Sequence, residues 1–350
     1  MSGLLQIRGR TLRPVVQGGM GVGISRWRLA GSVAAGGGMG TLAAQGLGRT
    51  SALHRPDAAK QWIDPHGVET LGHEVRAALD HAGGNGLVAV NIMVAISHYH
   101  ELVRSAVDAG AHAIVTGAGL PMDLPDTVGD ADVALIPIVS SARALRSICR
   151  YWEIEYGRRP DAVVVEGPKA GGHLGYKEEQ LDDPAFQLES IVPQVAEIAR
   201  SFGGFPVIAA GGIWDAADAA RMADHGASAV QLGTRFVATA ECDVHPHYKQ
   251  LMVDATADDL VVLRTPVGMP GRVLRTPLIE RFLNKDFDRF KCHFRCLSIC
   301  DAPKVSYCIA DHLIAAAEGD PDGFYFAGVN ATRVQGIETV AAILDAVDPP

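Results

Sequence analysis

The stretch Pro206-Val207-Ile208-Ala209-Ala210-Gly211-Gly212-Ile213, echoed one unit later by Ala229-Val230-Gln231-Leu232-Gly233-Thr234-Arg235-Phe236, decides the fold. In each, a short apolar run breaks at glycine and a helix-like segment follows. Bare backbone N–H groups then sit at the ends of successive strands, where a phosphate can be bound. A third stretch, Glu166-Gly167-Pro168-Lys169-Ala170-Gly171-Gly172-His173-Leu174-Gly175, sets one imidazole among glycines. Gly172 there lets a planar ligand come close to the backbone beside His173. Together the three stretches predict a barrel enzyme that holds a phosphate-bearing cofactor next to a histidine.

Working outward, the same unit repeats. Apolar runs at 14–17, 40–44, 87–93, 113–117, 133–139, 162–166, 206–210 and 229–233 alternate with helical patterns at 26–35, 69–81, 98–109, 142–156, 188–201 and 216–225. Continuous rather than alternating hydrophobicity marks strands covered on both faces, the signature of parallel strands joined by crossover helices. Asp215 and Ser97 precede helical patterns as N-cap residues. Eight such units predict an α/β chain folded as a (β/α)8 TIM barrel, with its site on the loops after the strands. A doubly wound open sheet is the alternative.

Position in this count gives the glycines their meaning. Gly211 and Gly212 follow the seventh strand, and Gly233 and Thr234 the eighth, where barrels commonly place a phosphate. One Gly-Gly pair alone also serves as a tight turn; two at adjacent strand ends argue for a cradle. The first strand ends in Gln17-Gly18-Gly19-Met20-Gly21 at the same rim. Asn91, in Val90-Asn91-Ile92-Met93, offers both a donor and an acceptor to a heterocycle edge, or else caps a turn.

Composition sets the outer limits. With 350 residues, 48% of them apolar, the chain can bury a large core. No apolar run approaches the roughly 20 residues that cross a bilayer, and Met1–Arg10 lacks a signal-like apolar core, so a cytoplasmic protein is expected. A net charge of −9 argues against nucleic acid as a partner. Basic residues do gather at Arg264, Arg272, Arg275, Arg281, Lys285, Arg289, Lys291 and Arg295, as a solvated surface or a dock for an anionic ligand tail.

Cysteine use is uneven. Cys292, Cys296, Cys300 and Cys308 fall within 17 residues, where uniform scatter would place about 0.3. If 292–300 is helical, the first three sulfurs share one stripe. Four thiolates suit a [4Fe-4S] cluster or a zinc ion, with packed reduced thiols as the third reading. The spacing matches neither the ferredoxin run nor paired Cys-x-x-Cys. Cys149 and Cys242 read as ordinary buried thiols. The segment 265–272 reads as a Pro/Gly-rich lid loop, and 305–318 and 331–346 as helices. Residues 1–240 are expected to form the barrel. Residues 241–350 are expected to supply a lid excursion, the cysteine cluster and helices packed on the barrel, rather than a separate domain.

In this order, Gln-Gly-Gly-Met-Gly, Val-Asn-Ile-Met, Ala-Gly-Gly-His-Leu-Gly, Ala-Ala-Gly-Gly-Ile and Gln-Leu-Gly-Thr-Arg-Phe resemble the nitronate monooxygenase (2-nitropropane dioxygenase) family, a pattern shared with FMN-dependent enoyl-acyl-carrier-protein reductases. The tail is similar to a cysteine-bearing branch of that family. The resemblance covers about residues 12–280 and implies an FMN-binding barrel. It implies that Gly19 and Met20 face the isoalloxazine ring, that Asn91 meets its pyrimidine edge, and that Gly211, Gly212, Gly233 and Thr234 hold the phosphate. His173 would be the acid/base residue. Pro168 and Lys169 depart from the commonest form of the loop. The implied activity is oxidation of a nitronate or similar carbon acid. The alternatives are NAD(P)H-dependent reduction of an enoyl thioester of coenzyme A or carrier protein, or of a quinone, and a flavin- or metal-binding barrel without turnover. A monomer and a homodimer both remain open.

Overall fold

A computed structural model describes residues 3–52, 65–287, 290, 292, 295–298 and 300–349. The apolar runs form eight parallel strands: β1 Val15–Gln17, β2 Met39–Ala43, β3 Leu87–Met93, β4 Ala113–Gly117, β5 Ala134–Val139, β6 Val163–Glu166, β7 Val207–Ala210 and β8 Ala229–Leu232. They close into a barrel in sequential order, with β8 beside β1. The open-sheet alternative falls because no barrel strand is left as an edge: Ile208 of β7 lies opposite Val164 on one side and Ala229 on the other.

Side-chain parity explains the closure. Val16, Met39, Ala89, Val115, Ile136, Val164 and Ile208 fill the interior. Residues of opposite parity, such as Val90, Ile114, Leu135, Val163 and Val165, pack outward with the helices. The hairpin Leu5–Ile7 with Arg10–Leu12 sends Leu5, Ile7 and Leu12 into the interior cluster and so plugs the end where the strands begin. The opposite rim is left for a site.

The helix of 142–156 is observed as Ala142–Tyr156 and that of 188–201 as Leu188–Ser201. Asp215 caps Ala216–Asp224, its carboxylate accepting from the Asp218 amide at 3.0 Å. Ser97 does not cap. Helix Tyr99–Asp108 starts after His98, which has a left-handed φ of 65°, and the Ser97 hydroxyl donates instead to the Arg295 carbonyl at 2.7 Å. The first helix, Trp27–Ala35, lies directly on β2: a Cβ added at Gly40 would stand 1.8 Å from the Ala30 carbonyl oxygen. Gly40→Ala is therefore expected to cost about 3 kcal/mol or more through overpacking, seen as a lower urea midpoint at unchanged m-value.

Beyond β8 the chain makes a long excursion and then returns. Its last helix, Val340–Val347, packs on Trp27–Ala35 and Ala216–Asp224, and Arg13 pairs with Asp345 and Asp348. This helix is shorter than the expected 331–346, since Val329–Arg333 forms a 3-10 turn and Thr339 caps the helix. The helix of 305–318 begins only at Ile309, after Cys308 as N-cap. The Pro/Gly stretch 265–272 forms the turn and the start of the second strand of a hairpin, Leu260–Arg264 against Pro270–Leu274, and that second strand pairs with Gly172–His173. The cysteine segment is not helical among its described residues: Leu297 bridges Ile96, and the Ser97 amide donates to the Cys296 carbonyl. Pairing with the loop after β3 wins over the local four-residue period. Arg289 and Lys291 of the basic stretch lie outside the described residues.

Candidate active site

Parity carries chemistry to the open rim. Asn91 on β3 follows Ala89 by two, Glu166 on β6 follows Val164 by two, and Gln231 on β8 follows Ala229 by two, so all three point into the barrel mouth. The β1 loop closes over them. A Cβ at Gly19 would lie 2.4 Å from Asn91 Cβ, and one at Gly18 would lie 3.0 Å from Gln231 Nε2. Met20 stands at the end of β8, its sulfur 3.4 Å from a Cβ built on Gly233. This loop is pinned from behind. Gln17 donates to Ser25 Oγ at 2.9 Å and accepts from the Thr41 amide at 3.0 Å, and Ser25 Oγ accepts from the Met20 amide at 2.9 Å.

The two glycine turns are backbone cradles. Gly211 and Gly212 have left-handed φ values of 100° and 83°, open to glycine and strained for other residues. Among the described residues, no hydrogen bond uses their amides. The stem of Lys169 lies along Gly212, and the Thr234 hydroxyl accepts from the Gly328 amide at 2.9 Å, which ties the C-terminal return to this rim. Arg235, in the same motif, makes a forked bond to Glu338 at 2.8 and 2.7 Å and stacks 4.7 Å over Trp214. It holds the returning chain rather than a ligand.

His173 sits in the two-residue strand that pairs with the excursion hairpin, Gly271 opposite it, with Phe326 edge-on at 5.2 Å. Its Nε2 is buried without a hydrogen-bond partner, and burial lowers the imidazole to about 4, so the ring is neutral near pH 7. Sequence reasoning missed two residues here. Arg272 is buried and donates from Nη1 to the carbonyls of Pro168 at 2.7 Å and Ala170 at 2.5 Å, clamping the histidine loop. Its signal was present only as one basic residue among several; with Arg275 paired to Glu280, part of the basic stretch that reads as a solvated surface or an anionic dock serves the fold instead. Glu166 was read only as the start of a motif. Burial raises its carboxyl to about 7.

Loss of the clamp is measurable. Arg272→Ala removes two charge-assisted bonds, each worth about 1.5–3 kcal/mol, and is expected to lower kcat/KM 10–100-fold, with partial recovery in Arg272→Lys. The pH dependence is equally specific. A limb of kcat/KM is expected near pH 7 from Glu166 and none near 6.5 from His173, and Glu166→Gln should remove the first.

The fold and this ring of strand-end groups define a (β/α)8 barrel whose polar residues gather at one rim. Residues 5–348 match the family described as nitronate monooxygenase, and the chain belongs to that family. It is 31% identical over 268 residues to a Mycobacterium tuberculosis protein named (3aS,4S,5R,7aS)-5-hydroxy-7a-methyl-1-oxo-octahydro-1H-indene-4-carboxyl-CoA dehydrogenase, a match that spans 77% of this chain and 64% of that relative. A probable nitronate monooxygenase of Bacillus subtilis is 27% identical, covering 79% of this chain and 80% of that one. Among solved structures, FabK from Thermotoga maritima aligns over 96% of this chain and 91% of that one, at 27% identity and a TM-score of 0.71.

The residues present fit FMN. Paired glycine turns with unused amides suit its phosphate, the amide side chains of Asn91 and Gln231 suit a heterocycle edge, and the unpartnered Nε2 of His173 awaits a group to meet. The four cysteines lie elsewhere, around a separate cavity that His173 does not line. Among the described residues no helix is long and apolar enough to cross a membrane.

Proposed function

We propose that this chain is an FMN-dependent oxidoreductase acting on a small carbon acid, a nitronate first of all, with His173 as the acid/base residue. The observation that carries this reading is the neutral, buried imidazole whose Nε2 has no partner in the protein. Gly211, Gly212, Gly233 and Thr234 would hold the FMN phosphate, Gly19, Met20 and Gly172 would lie against the ring, and Asn91 would bond its pyrimidine edge. When bound, FMN supplies the site's capacity to accept an electron pair and pass it to dioxygen.

The chain's own residues handle protons and position. A neutral imidazole can take the proton from a carbon next to a nitro group, or donate N–H to the oxygen of a nitronate already formed. Arg272 keeps the imidazole in place, and Gln17 with Ser25 keeps the Gly18–Met20 backbone against the ring. Glu166, near neutral pH half protonated, can relay the proton outward. The test is turnover of propyl-2-nitronate in air: oxygen uptake that depends on His173 supports the reading, and its absence at saturating nitronate opposes it.

A second reading is favoured by the relative named as a carboxyl-CoA dehydrogenase. The carbon next to a thioester carbonyl is also a carbon acid, and the same imidazole would serve it, with NAD(P)H as the reductant when the reaction runs as a reduction. The exposed Lys169 beside Gly212 would meet the anionic part of coenzyme A or carrier protein. Turnover of enoyl-CoA with NADH or NADPH, without nitronate turnover, would select it. A barrel that binds flavin without turnover would show neither.

A further inference from the structure

The loop after β6 carries one cation that nothing answers. Lys169 is exposed, and among the described residues its ammonium has no hydrogen-bond or ion-pair partner. The backbone beneath it is fixed: its carbonyl accepts from the Val329 amide at 3.2 Å, and the carbonyls on either side, of Pro168 and Ala170, accept from Arg272. The stem is directed as well. A Cβ built at Gly212 would lie 2.9 Å from Lys169 Cβ and 3.0 Å from its Cδ, so the side chain runs across the Gly212 backbone. Lys169, Gly211, Gly212 and Arg221 line one small crevice between the loops after β6 and β7.

The neighbouring cations are already engaged. Arg221 pairs with Asp218 at 2.8 Å and Glu189 at 3.2 Å, Arg333 with Asp215 at 2.6 Å and Asp218 at 3.2 Å, and Arg235 with Glu338. Arg272 is held by the loop carbonyls. Lys169 is thus the cation of this turn that, among the described residues, lacks an anion. A phosphate monoester carries about −1.5 to −2 charge at pH 7, whereas backbone amides such as those of Gly211 and Gly212 offer only partial positive charge. A lysine supplies the missing unit charge as a compact point. On the FMN reading proposed above, we infer that the Lys169 ammonium is the counter-charge to the flavin phosphate and makes the site select FMN over riboflavin, the same flavin without its phosphate. An ammonium held there is not free for coenzyme A, so Lys169 leaves the thioester role that the second reading gives it.

The test is dissociation of FMN and, separately, of riboflavin from the full chain, followed by flavin fluorescence at low and high salt. Lys169→Met keeps the stem and removes the charge. It should weaken FMN binding about 10–100-fold, leave riboflavin binding within about twofold, and flatten the salt dependence of FMN affinity. Lys169→Arg should recover most of the loss. Riboflavin is the control for the fold of the site; where it binds too weakly to measure, the salt dependence and the recovery in Lys169→Arg decide. Equal weakening of both flavins, or FMN affinity in Lys169→Met within about threefold of wild type, would overturn the assignment. A wild-type protein that takes up neither flavin would instead overturn the FMN reading on which the assignment rests.

Discussion

Replacing His173 by glutamine is expected to lower kcat/KM by about 10²–10⁴, the range lost when a positioned acid/base is removed, while FMN content stays near that of the wild type. Glutamine keeps polarity and approximate size but cannot carry the proton. The folded state should even gain at low pH. A histidine whose folded value is about 4, against 6.5 for the free group, binds fewer protons when folded, so its contribution to stability is lost as pH falls from 6.5 toward 4. Thermal melts at pH 5 and 8 should thus differ less for the variant than for the wild type. A variant with wild-type turnover on both nitronate and thioester substrates would remove His173 from the chemistry.

Gly211→Val is the second large effect, and it falls on binding. At φ 100° a β-branched residue is strained, and its Cβ would stand 2.9 Å from the Gly167 carbonyl oxygen and 3.1 Å from the Ala170 amide. Both turns that shape the phosphate cradle must shift. Losing two amide bonds to a phosphate, at about 1.5–3 kcal/mol each, corresponds to a 10²–10⁴-fold weaker FMN affinity. The check is FMN dissociation followed by flavin fluorescence, with Gly204→Ala, an exposed left-handed glycine of open surroundings, as the control for backbone strain. An FMN affinity within threefold of wild type would place the phosphate elsewhere.

What the sequence disclosed and what it hid follow from the range of the interactions. β3 and β4 were legible to the residue because strands buried on both faces read as unbroken apolar runs, a local signal. The glycine turns were legible because left-handed backbone at a strand end leaves glycine as its trace. The hairpin of Leu260–Arg264 and Pro270–Leu274 was not. Its residues Pro266, Gly268 and Pro270 resemble a loop, and its partner, His173, lies far back in the sequence. Arg272 hid for the same reason: its charge suggested surface, while its partners are two carbonyls about a hundred residues away. The four-residue cysteine spacing would have suited a helix; instead Leu297 bridges Ile96, and the four cysteines line one cavity. Glu166 was visible as a letter, but its raised value is a property of the mouth that buries it.

The most direct test of the central claim is anaerobic stopped-flow absorbance of the purified protein, mixed separately with propyl-2-nitronate, NADH and NADPH. The account predicts a bound flavin that is bleached rapidly by the nitronate and slowly or not at all in His173→Gln. A protein without flavin after FMN is supplied, or a bound flavin that none of the three reagents reduces, would contradict it.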